Sequence, residues 1–132
     1  MNIKSSQALV NEATKEIKTL TAKEVKLSLE KDEITLIDIR DIRELWKEGA
    51  IKKAIHIPRG MLEFWLDPES SYFKELKIGE AKNIVLFCAL GMRSALGAKS
   101  LQDMGFKNVA HVNGGFDSLK VSGIGTEIKK RK

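Results

Sequence analysis

The spacing of apolar residues changes along this chain, and each change marks an element. In the polar opening segment, Leu9, Val10, Ala13 and Ile17 fall at helical spacing. Residues 1–17 therefore read as an N-terminal extension, either a helix packed on the outside or a loose leader. Lys18-Thr19-Leu20 suits a short edge strand. Thr21-Ala22-Lys23-Glu24 has the form of a capping box, and Val25 and Leu29 recur four apart, which predicts a helix over 22–30. Lys31-Asp32-Glu33 is a polar turn. Ile34 to Ile39 is rich in β-branched residues and nearly continuous in apolar character, the pattern of a strand buried on both faces. Residues 41–48 suit a short amphipathic helix closed by Gly49. Residues 54–57 suit a strand ended by Pro58, and residues 60–66 a very apolar short helix. Asp67 to Ser71 is a loop or a new helix start, and Tyr72 to Leu76 is expected to add a helical turn.

The pattern is sharpest from residue 84 onwards. Ile84-Val85-Leu86-Phe87 is an apolar run that ends in Cys88. A compact loop with one glycine follows, then apolar residues three and four apart as far as Gly105, so the segment reads as strand, tight loop and helix. Val109-Ala110-His111-Val112 is a last strand, Asn113-Gly114-Gly115 a turn, and residues 116–121 a closing helix. Strands and helices alternate throughout, which predicts an α/β domain with a parallel sheet of about five strands and helices on both faces. The domain is placed at residues 18–124, with a basic tail over 125–132.

Composition adds bounds to this picture. The chain has 132 residues, 42% of them hydrophobic and 31% charged, as in an ordinary globular domain with a sizeable core. No apolar run is long enough to span a membrane, and the first residues lack the apolar core of a signal peptide. The net charge is +5, but Lys129-Lys130-Arg131-Lys132 supplies four of those charges, so the excess reads as a solvated end. No basic stretch interleaved with aromatics marks a nucleic-acid surface. One cysteine rules out an internal disulfide, and a cytoplasmic location, where a free thiol stays reduced, is expected.

Cys88 sits where open α/β sheets place their ligands, at the carboxyl end of a strand. Loop amides and a helix N-terminus there favour a thiolate, the reactive form of the thiol. Gly91 supplies the positive φ that such a curve needs, and Arg93 adds a cation beside the sulfur. Set against this is the plainer reading of Cys88 as a small buried hydrophobe at a strand end. Asp38, near the end of its strand, needs a partner if buried, and Arg40 is the nearby cation; the pair reads as orienting loops. His56 and His111 lie in strand patterns and read as structural histidines, since no residues at metal-ligand spacing accompany them. Two cysteine-loop chemistries fit the geometry. Cysteine phosphatases place five residues between Cys and Arg to wrap a phosphate, whereas four (Ala89, Leu90, Gly91, Met92) separate Cys88 from Arg93 here. The smaller cradle suits a sulfur atom carried on the thiolate.

These features together resemble a single-domain rhodanese (thiosulfate sulfurtransferase-like) protein over roughly residues 18–122. The loop from Cys88 to Ser94 resembles that family's Cys-x-x-Gly-x-Arg-Ser. Ile37-Asp38-Ile39-Arg40 resembles its Asp-x-Arg strand end, and Glu44 matches the acidic residue that follows. Residues 49–58 resemble its Gly-His-Ile-Pro-Gly-Ala-x-x-Ile-Pro segment, and Asn113-Gly114-Gly115-Phe116 its Gly-Gly motif. Ala50, Lys52 and Lys53 replace the usual His, Pro and Gly, which implies an altered loop shape.

The resemblance implies a three-layer rhodanese-like fold and a sulfurtransferase that needs no cofactor and no metal. Cys88 would carry a persulfide, with residues 89–93 forming the substrate-binding loop. Arg93 would hold the loop closed, Ser94 would cap the helix, and Asp38 and Arg40 would stabilise neighbouring loops. Arg59 and Trp65 are candidates for the pocket mouth, each also readable as a plain surface or packing residue. Implied partners are a small sulfur donor and a thiol or cyanide acceptor, with a protein persulfide as a further candidate and no nucleic acid or membrane. Ala89, Leu90 and Met92 are uncharged, which fits a persulfide donor better than thiosulfate. The fold also serves as a docking module, a reading against which an intact Cys88 argues. A phosphatase or arsenate reductase is disfavoured by loop length and by the lack of a second cysteine.

Overall fold

The computed structural model describes residues 2–73 and 83–131. Among the described residues, six α-helices span Ser6–Glu16 (α1), Ala22–Glu30 (α2), Ile42–Glu48 (α3), Leu62–Leu66 (α4), Met92–Met104 (α5) and Gly115–Val121 (α6). Strands are Lys18–Leu20 (β1), Ile34–Asp38 (β2), Ala50–Ile51 (β3), Ile55–His56 (β4), Asn83–Phe87 (β5), Val109–Val112 (β6) and Thr126–Glu127 (β7).

Five strands form one sheet in the order β1-β6-β5-β2-β4, and every pairing in it is parallel. Side chains alternate across a strand, so β2, β5 and β6 each feed two cores. On one face Leu36, Val85, Phe87, Ala110 and Val112 pack with Val25 and Leu29 of α2 and Phe116 and Leu119 of α6. On the other, Ile37, Ile84, Leu86 and Val109 pack with Leu62 and Leu66 of α4 and Ala98 and Leu101 of α5. Burial on both faces is the reason these strands read as continuous apolar runs.

The opening segment is a helix rather than a loose leader. Val10 and Ala13 of α1 are buried against Ala95 of α5, and Lys99 of α5 pairs with Glu16 at 2.8 Å. The capping box at Thr21 forms as its spacing predicts: Glu24 N–H donates to the Thr21 hydroxyl, and Thr21 N–H to the Glu24 carboxylate, both at 3.1 Å.

Several boundaries differ from the sequence reading. The strand expected to end in Cys88 stops at Phe87. The helix expected over 60–66 opens as a 3-10 turn at Arg59–Met61. Residues 69–73 hold turns rather than a new helix, one closed by Phe73 N–H on the Ser70 carbonyl at 3.2 Å, while Lys74 to Leu76 of the expected helical turn lie outside the described residues. The segment read as a tail supplies β7, which pairs antiparallel with β3 and so covers Ala50 and Ile51. No described helix is long and apolar enough to cross a membrane.

Candidate active site

Cys88 is the first residue after β5, between two strands that end beside it. Its carbonyl accepts the Phe116 N–H at 2.8 Å, which ties the loop to the start of α6. Gly115 makes that approach possible. Its φ is +57°, and a Cβ there would run into the carbonyl groups of Cys88 and Ala89. The chain then curves through Gly91, at φ +117°, into the first turn of α5.

That curve aims amides at the sulfur. The Gly91 N–H donates to Cys88 Sγ at 3.1 Å and the Ser94 N–H at 3.4 Å. Ser94 N–H belongs to the first turn of α5, where backbone donors lack intrahelical acceptors, so the positive end of the helix faces the sulfur. Cys88 itself is 1% exposed, whereas Leu90 and Met92 are 62% and 52% exposed. The sulfur thus lies under a loop whose apolar side chains face outward.

Arg93 is held by an element distant in sequence. Its guanidinium makes a bidentate pair with Glu44 of α3 at 2.8 and 2.9 Å. The Arg93 hydrogen bond holds the Glu44 carboxyl below its ordinary range, and Glu44 in turn pushes the guanidinium up, with a smaller contribution from Cys88. Glu44 is fixed from behind, because its carboxylate also accepts the Asp41 N–H at 2.9 Å in the capping box of α3.

Ser94 does not cap the helix. Gly91 occupies the N-cap position, and Ser94 is buried two residues into α5. Its hydroxyl lies 3.5 Å from Cys88 Sγ, 3.3 Å from the Gly91 carbonyl and 2.9 Å from His111 Nδ1. The other ring nitrogen of His111 is 3.2 Å from the Thr19 hydroxyl. Burial pushes the His111 imidazole down, so the ring is neutral near pH 7. Sequence reading took His111 as structural. The signal that could have placed it by the sulfur is the parallel pairing of β5 and β6, which sets Leu86 beside His111.

Asp38 and Arg40 form a buried pair with side chains 2% and 1% exposed. Arg40 donates from Nε and Nη2 to Asp38, and Nη2 also reaches the Gly49 carbonyl at 2.9 Å. Its guanidinium lies 4.1 Å from the centroid of the Phe116 ring, one residue from the Gly115 that supports the cysteine loop. Arg59 pairs with Glu63 at 2.8 Å, and Glu63 accepts from Ser100 at 2.6 Å, so this arginine braces α4 against α5. Trp65 is partly buried and packs on the α4–α5 core. Among the described residues no group of three or more His, Cys, Asp or Glu side chains could hold a metal ion.

The model of the rhodanese-like domain matches residues 21–121. The chain belongs to the rhodanese-like family. The "Putative sulfurtransferase YtwF" of Bacillus subtilis is 38% identical over 101 residues, 76% of this chain and 87% of that protein. The match to one curated mouse relative covers 66% of that protein's length. A solved structure from Rhodopseudomonas palustris, described as a protein of unknown function and possible tyrosine phosphatase, is 40% identical. Its TM-score is 0.89, over 96% of this chain and 97% of that one. The polysulfide-sulfur transferase homodimer of Wolinella succinogenes is 33% identical with a TM-score of 0.70, over 96% and 88% of the two chains. The parallel five-stranded sheet with its helices matches these rhodanese-like neighbours.

Proposed function

We propose that this protein moves sulfane sulfur from a donor to a thiophilic acceptor through a persulfide on Cys88. The observation that carries the reading is the pair of backbone donors, Gly91 N–H and Ser94 N–H, converging on Cys88 Sγ. Preorganised amides of this kind stabilise negative charge on sulfur at no cost in reorganisation. In the first step the Cys88 thiolate attacks the outer sulfur of a persulfide donor. The new S–S bond forms as the donor's S–S bond breaks, and the donor leaves as its thiolate. In the second step a thiolate or cyanide takes the outer sulfur and Cys88 returns as thiolate. Residues 89–93 form the binding loop, while Asp38, Arg40 and Ser94 support it. We assign Arg59 to bracing rather than to substrate. The thiol chemistry fits a reducing compartment such as the cytoplasm.

A persulfide suits the loop better than thiosulfate. The loop's one cation, Arg93, is already in a bidentate pair with Glu44, and Leu90 and Met92 face outward. A doubly charged donor would meet no uncommitted cation of that loop. Steady-state assays with cyanide as acceptor test this. Thiocyanate formation with glutathione persulfide is expected to exceed that with thiosulfate about tenfold in kcat/KM, a difference of ~1.4 kcal/mol in the barrier. Equal or reversed efficiency would remove the donor assignment.

The description of the Rhodopseudomonas palustris structure raises a second reading, a phosphatase. It is weaker here because the loop holds four residues between Cys88 and Arg93 and because Arg93 is committed to Glu44. Release of phosphate from p-nitrophenyl phosphate that depends on Cys88 would restore it.

A further inference from the structure

Of the groups bonded to Cys88 Sγ, the two backbone amides can only donate. The Ser94 hydroxyl is the one that can also accept a proton. It leads outward. Ser94 Oγ is 2.9 Å from His111 Nδ1, and His111 Nε2 is 3.2 Å from the hydroxyl of Thr19, an exposed residue. The sheet builds this line: the β1–β6 register sets Thr19 directly beside His111. The buried sulfur is thereby connected to the surface by three side chains in hydrogen-bond contact.

We propose that Ser94, His111 and Thr19 form a proton relay between the Cys88 sulfur and solvent, with His111 a positioning residue that sets which way the Ser94 hydroxyl points. The proposal deepens the sulfur-transfer reading and rests on Cys88 as its reacting group. In the thiol form, S–H points to Ser94 Oγ, Ser94 O–H to Nδ1, and His111 carries its proton on Nε2. One proton shift along each link leaves Cys88 as thiolate and turns the Ser94 O–H toward the sulfur. His111 is then protonated on Nδ1, and one proton leaves from Nε2 through the Thr19 hydroxyl to water. Only the S–H bond is lost, heterolytically, and no electron changes owner. His111 is neutral at both ends of the passage, in keeping with a ring whose burial disfavours its charged form. The Gly91 carbonyl, 3.3 Å from Ser94 Oγ, can accept that hydroxyl's proton in a hydrogen bond but cannot pass it on. The imidazole Nδ1–H holds the hydroxyl away from it.

The test reads the tautomer directly. Ring-nitrogen NMR of the full chain, with His56→Gln used to assign the signals, is run on free protein. It is repeated after Cys88 is capped by methyl methanethiosulfonate, which leaves a neutral disulfide in place of the thiolate. Near pH 7 the proton of His111 is expected on Nδ1 in the free protein and on Nε2 in the capped one. In parallel, alkylation of Cys88 by iodoacetamide is expected to slow about tenfold in Ser94→Ala, which removes one oxygen, and in His111→Leu. His111→Asn keeps a donor near the Nδ1 position but cannot pass a proton, and it should restore most of that rate, because alkylation reads the thiolate population set by the Ser94 hydroxyl and the tautomer reads the relay. The same His111 tautomer in both states, or alkylation of Ser94→Ala within twofold of the parent chain, overturns the proposal. Neither readout needs a persulfide on Cys88 or turnover with an acceptor, so the relay and the sulfur-transfer reading can fail separately.

Discussion

Arg93 spends its guanidinium on Glu44, and in the proposed function it acts on the sulfur chiefly by holding the loop in shape. Arg93→Ala is expected to lower thiocyanate formation about tenfold, ~1.4 kcal/mol in barrier. Far-UV circular dichroism should be unchanged, because a partly exposed ion pair contributes only about 0.2–1 kcal/mol to stability. Turnover equal to the parent chain would take Arg93 out of the mechanism. Beside the sulfur, one carboxyl shift and one imidazole shift contribute to the pH behaviour. Glu44 is held below its ordinary range by Arg93, so its contribution is complete above the unfolded value of about 4.3 and is lost as pH falls through the lower, folded value. His111 is pushed down by burial, so the unfolded chain binds its proton first as pH falls through about 6.5 and stability drops there. Denaturant titrations of His111→Asn should lose that part of the slope between about pH 7 and 5; an unchanged slope would contradict the burial argument. Cys88, Gly91 and Arg93 were legible in the sequence because one loop carries them. The surroundings of Ser94 were not, since His111 and Thr19 reach it through strand pairings set by the register of the whole sheet.

The loop and α5 depend on a glycine from another element. Gly115 opens α6, and its missing side chain lets the chain pass against the carbonyl groups of Cys88 and Ala89. Gly115→Ala must either strain a backbone at φ +57° or push the cysteine loop away. A loss of about 1–3 kcal/mol is expected, seen as a melting temperature lowered by several degrees, together with slower alkylation of Cys88. Unaltered melting and alkylation would show that this close approach is dispensable. At this scale the longer elements were legible because burial on both faces of β2, β5 and β6 leaves unbroken apolar runs, and because Thr21 and Glu24 carry their own capping chemistry. Strands β3 and β7 were not. Two residues each carry no period, and their pairing joins positions 50 and 51 to 126 and 127, a relation no local pattern encodes.

Across the whole molecule the Asp38–Arg40 pair ties the end of β2 to the end of α3 through Gly49 and to α6 through the Phe116 ring. Asp38→Asn leaves Arg40 buried without its counter-charge. Breaking a buried pair in this way costs about 3–5 kcal/mol, a large share of the ~5–15 kcal/mol that holds a domain together. The melting temperature should fall by roughly 10 °C or more, and a fall of only a degree or two would mean the pair is not the clasp described. The sequence showed that Asp38 needed a partner and named Arg40 as the near cation; it could not show that one guanidinium joins the ends of β2 and α3 to α6. The proposed function turns on the state of the Cys88 sulfur, and intact-mass analysis reads that state most directly. The chain is incubated with glutathione persulfide, and separately with thiosulfate, beside a Cys88→Ser control. The expected result is a gain of one sulfur atom that requires Cys88, is fuller with the persulfide and disappears on adding cyanide. No added sulfur with either donor, or an equal gain in Cys88→Ser, would contradict sulfur transfer through Cys88.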